Sequence, residues 1–315
     1  MPSKKILVIV GPTASGKTRM AVELAKAHNG EVVSADSMQI YRRMDIGTAK
    51  PTAEEMDGVP HHMIDVADPE EDFSVARYVE MASACVDDIL ARGKLPIVAG
   101  GTGLYVDSLL SGRTFAAFSP DSSLRKELEA ELAERGGEAM LSELSRVDPE
   151  AAARLHPNDH KRIVRALEVY RSTGKTISEH NRETRALPPR YEALTIGLNF
   201  QDRADLWARI DARVDQMAAD GLEREVRELL SSGLSPRCTA MQAIGYKEFV
   251  AAVEGTMTWR EAEELVKLRS RQYAKRQLTW FRRNPEVHWL LWEKNPNFGN
   301  ARQRSTELLE EFGLG

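Results

Sequence analysis

A short glycine-rich segment near the beginning of the chain has the composition of a phosphate-binding loop. It fits G-x-x-x-x-G-K-[ST] at every fixed position, with the residues Gly11, Pro12, Thr13, Ala14, Ser15, Gly16, Lys17 and Thr18. An apolar run at 6–10 precedes it and a helical pattern follows it, as a strand–loop–helix unit requires. Glycines let backbone N–H groups converge on an anion, Lys17 adds a positive charge, and the Thr18 hydroxyl can ligate Mg²⁺. The segment therefore predicts a diphosphate or triphosphate site with Mg²⁺ as its cofactor.

Two further polar positions follow apolar runs that have the composition of strands. Asp36 comes after the run at 30–35, and the turn Gly100-Gly101-Thr102 comes after the run at 95–99. Because ligands bind at the carboxyl ends of parallel strands, we expect both to lie beside the phosphate loop. Asp36 could bind magnesium through water or act as a general base on an acceptor, and the alternative is a turn or helix-cap residue. The run at 95–99 lacks the terminal Asp that most P-loop kinases and hydrolases need for Mg²⁺.

The order of the patterns predicts an α/β protein with a helical insertion. Strand and helix patterns alternate over 1–112, and Leu194-Thr195-Ile196-Gly197-Leu198 predicts a strand that returns to the sheet. Between them, Ser119-Pro120-Asp121 predicts a helix start and Gly136-Gly137 a helix end. We therefore expect a P-loop NTPase-like parallel sheet core with C-terminal helices over 1–112 and 191–315, and a helical insertion domain over 113–190.

Helical patterns also dominate the chain after the returning strand. They lie near 202–220, 222–232 and 258–283, and Thr258 with Glu261 forms a capping-box pattern at the start of the last one.

Composition narrows the classes of function. The 315 residues carry a net charge of −5, so a general affinity for nucleic acid is excluded and any such partner needs local basic patches. No run is long enough for a membrane span, and Cys85 and Cys238 have neither metal-site nor disulfide spacing, so we expect a cytoplasmic protein with no membrane partner.

Two basic runs, interleaved with aromatic residues, could supply such patches. The first contains Lys161, Arg162, Arg165, Arg171, Lys175, Arg182, Arg185 and Arg190, and the second, which has no acidic residue, contains Lys267, Arg269, Arg271, Lys275, Arg276, Arg282 and Arg283. A solvated helix face would explain one such run, but two favour a surface that binds a polyanion.

Eight motifs occur in an order that resembles one enzyme family over nearly the whole chain. They are DSMQIY at 36–41, DIGTAKP at 45–51, HHMID at 61–65, GGTGLY at 100–105, LHPND at 155–159, KRIVRALE at 161–168, QAIGYKE at 242–248 and YAKRQLTWFR at 273–282. In this order and spacing the sequence resembles the tRNA dimethylallyltransferase (tRNA isopentenyltransferase) family, bacterial type.

The resemblance implies an activity and a set of roles. A dimethylallyl group would pass from dimethylallyl diphosphate to N6 of the adenosine adjacent to the anticodon on its 3′ side in tRNA. Asp36 would be the general base, Thr18 and its loop would grip the diphosphate, and Thr102 would lie near the reacting centre. Arg213 matches a family arginine that contacts the diphosphate, although a helix-surface arginine remains the alternative.

The resemblance also implies dimethylallyl diphosphate and the tRNA anticodon stem-loop as partners, and we expect a monomer. The target base must leave its stack to reach the electrophile. The residues that match tRNA-binding segments are Asp36, Ser37, Met38, Gln39, Thr102, Leu124, His160, Lys161, Arg162, Ile163, Val164, Gln242, Ala243, Ile244, Gly245, Tyr246 and Lys247. Tyr246, Tyr273 and Trp280 could stack on bases, although core packing also explains them.

Three other functions remain open at this stage. A P-loop small-molecule kinase would use ATP, an adenylate isopentenyltransferase would use a free nucleotide, and a non-catalytic RNA-binding P-loop protein would leave Asp36 and Thr102 unexplained. The adjacent His61 and His62 could suggest a metal pair, but without a third ligand we expect them to be structural.

Overall fold

The computed structural model describes residues 4–112, 122–185 and 187–314. In chain order, its elements are β1 (Lys5–Val10), α1 (Lys17–Ala27), β2 (Gly30–Ser34), α2 (Ala53–Met56), β3 (His61–His62), α3 (Val75–Ala91), β4 (Leu95–Gly100), α4 (Gly103–Leu110), α5 (Ser122–Val147), α6 (Pro149–Ala152), α7 (His160–Thr173), α8 (Ile177–Arg185), β5 (Glu192–Phe200), α9 (Arg203–Asp220), α10 (Leu222–Ser231), a 3-10 helix (Ala240–Gln242), α11 (Tyr246–Val253), α12 (Trp259–Phe281), β6 (His288–Trp292) and α13 (Phe298–Phe312).

The strands form one six-stranded sheet in the order β3-β2-β4-β1-β5-β6. Every pairing is parallel. The unbroken apolar composition of β1 suits its central position, because strands covered by helices on both faces are apolar on both sides. Ile6, Leu7 and Val8 are fully buried there. The predicted α/β fold with a parallel sheet is confirmed.

The strand order brings the three polar loops together. β4 pairs with β2 on one side and with β1 on the other. The loop after β1 carries the glycine-rich segment, Asp36 lies two residues beyond β2, and Gly101 and Thr102 follow β4. Because these strands are parallel neighbours, all three loops lie at the carboxyl ends of the strands, on the same side of the sheet.

The chain divides into two compact units, 1–110 with 190–315, and 111–189. These limits lie within a few residues of the predicted division. In the second unit, Leu128, Met140, Ile163 and Leu167 form a buried core. The predicted helix start at 119–121 falls outside the described residues. The predicted end at Gly136-Gly137 is a break within α5, where Gly136 has φ 79° and ψ 164°.

In the first unit, one hydrophobic core joins the sheet to α1 and α13. A separate cluster of described residues packs Ile40, Tyr41 and Met44 against Leu222 and Tyr246. The strand at 192–200 and the capping box at Thr258 agree with the sequence patterns. The short edge strand β3, the strand β6 and the helix α13 were not predicted. No described helix has the length and apolar character that crossing a membrane requires.

Candidate active site

The glycine-rich loop joins β1 directly to α1, as its pattern predicts. Gly11 has φ 149° and Gly16 has φ 89°, conformations that suit glycine. A side chain at Gly11 would also place its Cβ 2.4 Å from the Leu198 carbonyl oxygen. The loop is fixed from the C-terminal part of the chain, since Trp292 Nε1 donates to the Ser15 carbonyl at 2.8 Å.

Lys17 lies at the first residue of α1 and folds back over the loop. Its Nζ donates to the Pro12 carbonyl at 2.7 Å. Burial and the nearby Arg213 lower the pKa of Lys17 to about 7, against a smaller opposing effect of Asp36. An anion bound in the loop would reverse this balance, because a nearby negative charge favours the ammonium form. Thr18, the predicted Mg²⁺ ligand, is exposed beside it.

Asp36 and Thr102 meet at the turn that follows β2. One carboxylate oxygen of Asp36, Oδ1, accepts from the backbone N–H groups of Met38 at 2.8 Å and Gln39 at 3.3 Å. Thr102 Oγ1 accepts from the Ser37 backbone N–H at 3.1 Å, and its own N–H donates to the Ala35 carbonyl at 3.1 Å. Asp36 therefore shapes the turn, as the alternative interpretation proposed, and also faces the loop cations.

Arg213 reaches the same place from the side of α9. Its Nη2 donates to the Ala49 carbonyl at 3.4 Å. Burial lowers the pKa of Arg213, and the charge of Asp36 opposes that shift. Since Arg213 lowers the pKa of Lys17 and the charge of Asp36 opposes the shift at both cations, the structure brings these three predicted residues together. Arg213 is a half-buried residue of α9. Its contact with a diphosphate and the alternative of a helix-surface arginine both stay predictions.

A buried glutamate that sequence reasoning missed holds the loop containing Ala49. Glu225 on α10 accepts from the backbone N–H groups of Asp45, Ile46 and Gly47 at 2.8, 2.8 and 3.1 Å. Tyr246 donates its hydroxyl to Glu225 Oε1 at 2.5 Å. Burial, followed by the charge of Glu225, raises the pKa of Tyr246 well above its usual value.

A buried glutamine was missed as well. Gln277 on α12 accepts from the Thr13 backbone N–H at 2.9 Å and donates from Nε2 to the Gly101 carbonyl at 3.0 Å. The only signal for it was its place in the motif at 273–282. Glu225 had no local signal, because its partners lie 178–180 residues earlier in the chain.

The predicted tRNA-binding residues differ in exposure. Their exposed members are His160, Lys161, Arg162, Gln242 and Lys247; the half-buried ones are Asp36, Ser37, Met38, Gln39, Thr102, Leu124 and Ile244; and the buried ones are Ile163, Val164, Ala243, Gly245 and Tyr246. The ring of Tyr246 is enclosed, so in this structure it has a packing role. RNA binding by these segments stays a prediction, and their exposed side chains are the ones able to meet an RNA first.

The adjacent histidines are structural in this fold. His62 Nε2 lies 2.8 Å from Glu31 Oε2, and His61 Nδ1 lies 2.8 Å from the Val59 carbonyl oxygen. Across the described residues, no cluster of three or more His, Cys, Asp or Glu side chains could hold a metal ion. A magnesium ion here would need phosphate oxygens and water as ligands, in addition to Thr18.

The arrangement can hold a polyphosphate and activate a nearby acceptor. The glycine-rich loop leads into Lys17, Arg213 supplies a second cation whose charge acts on Lys17, and the carboxylate of Asp36 lies in the loop after β2. The described geometry therefore suits a transfer reaction in which a phosphate group leaves while an acceptor loses a proton.

Comparison with known proteins narrows the class of transfer. The family model described as IPP transferase matches residues 39–284. A tRNA dimethylallyltransferase from Acetivibrio thermocellus is 50% identical over 285 residues, which are 90% of this chain and 91% of that protein.

Solved structures agree with this relationship. The tRNA isopentenylpyrophosphate transferase from Bacillus halodurans is 44% identical, with a TM-score of 0.73 and coverage of 98% of this chain and 97% of its own. A eukaryotic dimethylallyltransferase, described as acting on tRNA, is 32% identical, with a TM-score of 0.84 and coverage of 98% and 79%. The predicted family is confirmed: this chain belongs to the IPP transferase family and is similar to its bacterial members.

Proposed function

We propose that this protein transfers a dimethylallyl group from dimethylallyl diphosphate to N6 of the adenosine adjacent to the anticodon on its 3′ side in tRNA. The product is N6-dimethylallyladenosine. One observation carries the proposal. Lys17, Asp36 and Arg213 lie close together at the carboxyl ends of three neighbouring strands, in a chain that belongs to the IPP transferase family.

The residues have distinct roles in the proposed reaction. Backbone N–H groups of the loop at 11–18, apart from Pro12, which has none, and Thr13, which donates to Gln277, bind the diphosphate together with the ammonium of Lys17. Arg213 balances the charge that grows on the diphosphate as it leaves. The adenine N6 forms a bond to the allylic carbon while the carbon–oxygen bond breaks and its electron pair passes to the diphosphate. Asp36 accepts the proton that N6 loses. Thr102 orients the turn that carries Asp36.

Magnesium suits the donor set of this site. Mg²⁺ keeps several waters and commonly binds substrate phosphates together with one or two protein oxygens. The exposed hydroxyl of Thr18 is such an oxygen at the first turn of α1. When bound, the ion would neutralise negative charge on the diphosphate.

The contribution of Thr18 can be measured directly. We expect Thr18→Ala to weaken binding of dimethylallyl diphosphate in the presence of Mg²⁺, and chelation of the metal to weaken the wild type to a similar degree. Titration calorimetry with and without chelator compares the two. Equal affinity of the variant and the wild type in Mg²⁺ would remove Thr18 from the proposed site.

The tRNA partner is proposed to bind through exposed basic and polar side chains. Among the cations of the second basic run, Lys267 and Arg271 already pair with Asp215 and Asp211. Lys275, Arg276, Arg282 and Arg283 are exposed, and none forms an ion pair with a described residue. The C-terminal half of α12 is therefore the better candidate for phosphate binding. We further propose that the protein acts in the cytoplasm, as a monomer.

One assay separates this function from its alternatives. Labelled dimethylallyl diphosphate is incubated with the protein and with tRNA, with AMP, or with neither. We expect label in tRNA alone. Label in AMP would identify an adenylate isopentenyltransferase, and phosphate transfer from ATP without any dimethylallyl transfer would identify a small-molecule kinase.

A further inference from the structure

The side-chain amide of Gln277 joins two loops of the site that have no backbone hydrogen bond to each other among the described residues. It is 5% exposed. Its oxygen accepts from the Thr13 N–H in the phosphate loop, and its nitrogen donates to the Gly101 carbonyl in the turn after β4. A primary amide satisfies both partners at once, because it is a donor at one atom and an acceptor at the other.

The fit around Gln277 is tight. A Cβ at Gly101 would lie 2.1 Å from Gln277 Nε2, and one at Gly103 would lie 2.3 Å from the Trp280 ring. Tyr273 lies one turn before Gln277 on α12. Residues 273, 277 and 280 follow the spacing of one helix face. This face of α12 is therefore pressed against the turn that carries Thr102.

We propose that Gln277 is a positioning residue that fixes the phosphate loop relative to the Gly101–Thr102 turn and so sets the separation between the leaving group and Asp36. The proposal rests on the proposed function of the site. Gln277 is not assigned a contact with substrate. It acts through the phosphate loop, which it holds at the Thr13 N–H, and through Thr102, which holds the Asp36 turn.

A carboxylic acid side chain at position 277 can test whether both the donor and the acceptor of the amide are needed. An ionised Gln277→Glu side chain can accept from Thr13, but it would place a second acceptor against the Gly101 carbonyl. A protonated carboxyl group would restore the donor. Burial raises the pKa of a carboxyl group, which brings its titration toward the range in which enzymes are assayed.

Other titratable groups near this amide must be separated from that effect. Burial and the charge of Asp36 raise the pKa of Tyr273 to about 12, so Tyr273 does not titrate in the assay range. Lys17 and Asp36 belong to the reacting site and are common to the variant and the wild type. The ratio of the variant's rate to the wild-type rate therefore isolates position 277.

The experiment measures kcat, and KM for dimethylallyl diphosphate, from pH 6 to 8.5 for the wild type, Gln277→Glu and Gln277→Met. Gln272→Glu, an exposed position on the same helix, is the matched control. We expect both Gln277 variants to lose about 10–100-fold in kcat at pH 8, as a displacement of about 1 Å can cause, with a smaller change in KM. Gln277→Glu should regain activity relative to the wild type as the pH falls, whereas Gln277→Met should not.

Several results would overturn the proposal. A kcat equal to that of the wild type in folded Gln277→Met would do so. So would losses of kcat in both variants that only follow their melting temperatures, without any recovery of Gln277→Glu at lower pH. If Gln277→Glu fails to fold, the split between kcat and KM in Gln277→Met decides alone. Failure of the proposed function would look different, because the wild-type protein itself would then transfer no dimethylallyl group to tRNA.

Discussion

At the scale of single residues, we assign Asp36 two duties that can be separated by mutation: it holds its turn, and we propose that it accepts the proton of the acceptor. Among the described residues, both of its hydrogen bonds fall on Oδ1, which accepts from Met38 and Gln39. The other oxygen is the one able to take a proton from an acceptor. An amide can reproduce the first duty but not the second.

We therefore expect Asp36→Asn to keep the turn and the melting temperature but to lose about 10²–10⁴-fold in the rate of transfer, as loss of a general base typically does. Asp36→Ala should lose the same activity and also some stability. Single-turnover transfer to tRNA and a thermal melt of each variant test this. A rate for Asp36→Asn near that of the wild type would assign the carboxylate to the turn alone.

Lys17 links diphosphate binding to protons. Its pKa is about 7 in the free protein because burial and Arg213 disfavour the ammonium form. A bound diphosphate favours that form, so the pKa must rise on binding. The ammonium form of Lys17 predominates below pH 7. Above pH 7 the neutral amine predominates, so binding of the diphosphate must be accompanied by uptake of a proton.

We expect the affinity for dimethylallyl diphosphate to fall above pH 7, by up to about tenfold per pH unit. Binding at pH 8 should take up a proton, which makes the calorimetric heat depend on the ionisation enthalpy of the buffer. Lys17→Met should bind more weakly and show neither effect. A wild-type affinity that stays constant from pH 7 to 9 would contradict the linkage.

Local sequence patterns could single out some residues of the candidate site but not others. Lys17 and Thr18 belong to a contiguous motif, so their types and spacing carry the chemistry. The partners of Gln277, Thr13 and Gly101, lie 264 and 176 positions away. No spacing rule reaches that far, and a buried glutamine has no composition that distinguishes it from an exposed one.

At the scale of elements, the close approach of β4 to the turn after β2 determines where Thr102 lies. Gly100 is the last residue of β4, and a Cβ there would lie 2.1 Å from the Ala35 carbonyl oxygen. That oxygen also accepts from the Thr102 N–H. The absence of a side chain at Gly100 lets the turn after β4 lie directly against the turn after β2.

We expect Gly100→Ala to destabilise the protein by about 1–3 kcal/mol, because backbone must move to accept the methyl group. The transfer rate should fall as well, since the displaced Ala35 carbonyl precedes Asp36 and accepts from the Thr102 N–H. Gly299→Ala is the control, because its Cβ would meet only the Asn297 side chain at 3.4 Å. Chemical denaturation measures both variants, and equal free energies of unfolding would show that the turn adapts.

The strength of each element's pattern explains which elements could be predicted. The helix at 259–281 has a capping box and a helical pattern sustained over 23 residues. The strand at 192–200 has large apolar residues at alternate positions, namely Leu194, Ile196, Leu198 and Phe200. By contrast, β3 has two residues, too few for a period. Strand β6, with the sequence HWLLW, begins with an exposed histidine at the sheet edge and lacks the alternation that would identify it.

At the scale of the whole molecule, charge is distributed unevenly. The net charge is −5, yet the four cations at the end of α12 face solvent without an acidic partner among the described residues. Binding of an RNA by such a cluster releases counterions, which makes the affinity depend on salt even in an acidic protein.

We expect the combined change Lys275→Ala and Arg276→Ala to lower the slope of log affinity for the anticodon stem-loop against log salt, by up to about 0.7–0.9 for each phosphate that is no longer neutralised. Affinity for dimethylallyl diphosphate should stay the same. The double change Arg302→Ala and Arg304→Ala removes equal charge from α13 and serves as the control. An unchanged slope in the folded Lys275 and Arg276 variant would place the RNA elsewhere.

The hydrogen bond from Trp292 to Ser15 joins positions 277 residues apart, and Phe298 packs close to Gly16. At a synthesis rate of about 5–20 residues per second, the ribosome makes Ser15 roughly 15–55 s before it makes Trp292. During that interval the glycine-rich loop lacks its support. A nascent or prematurely terminated chain therefore carries the complete glycine-rich motif without the C-terminal contacts that hold this loop in the folded protein.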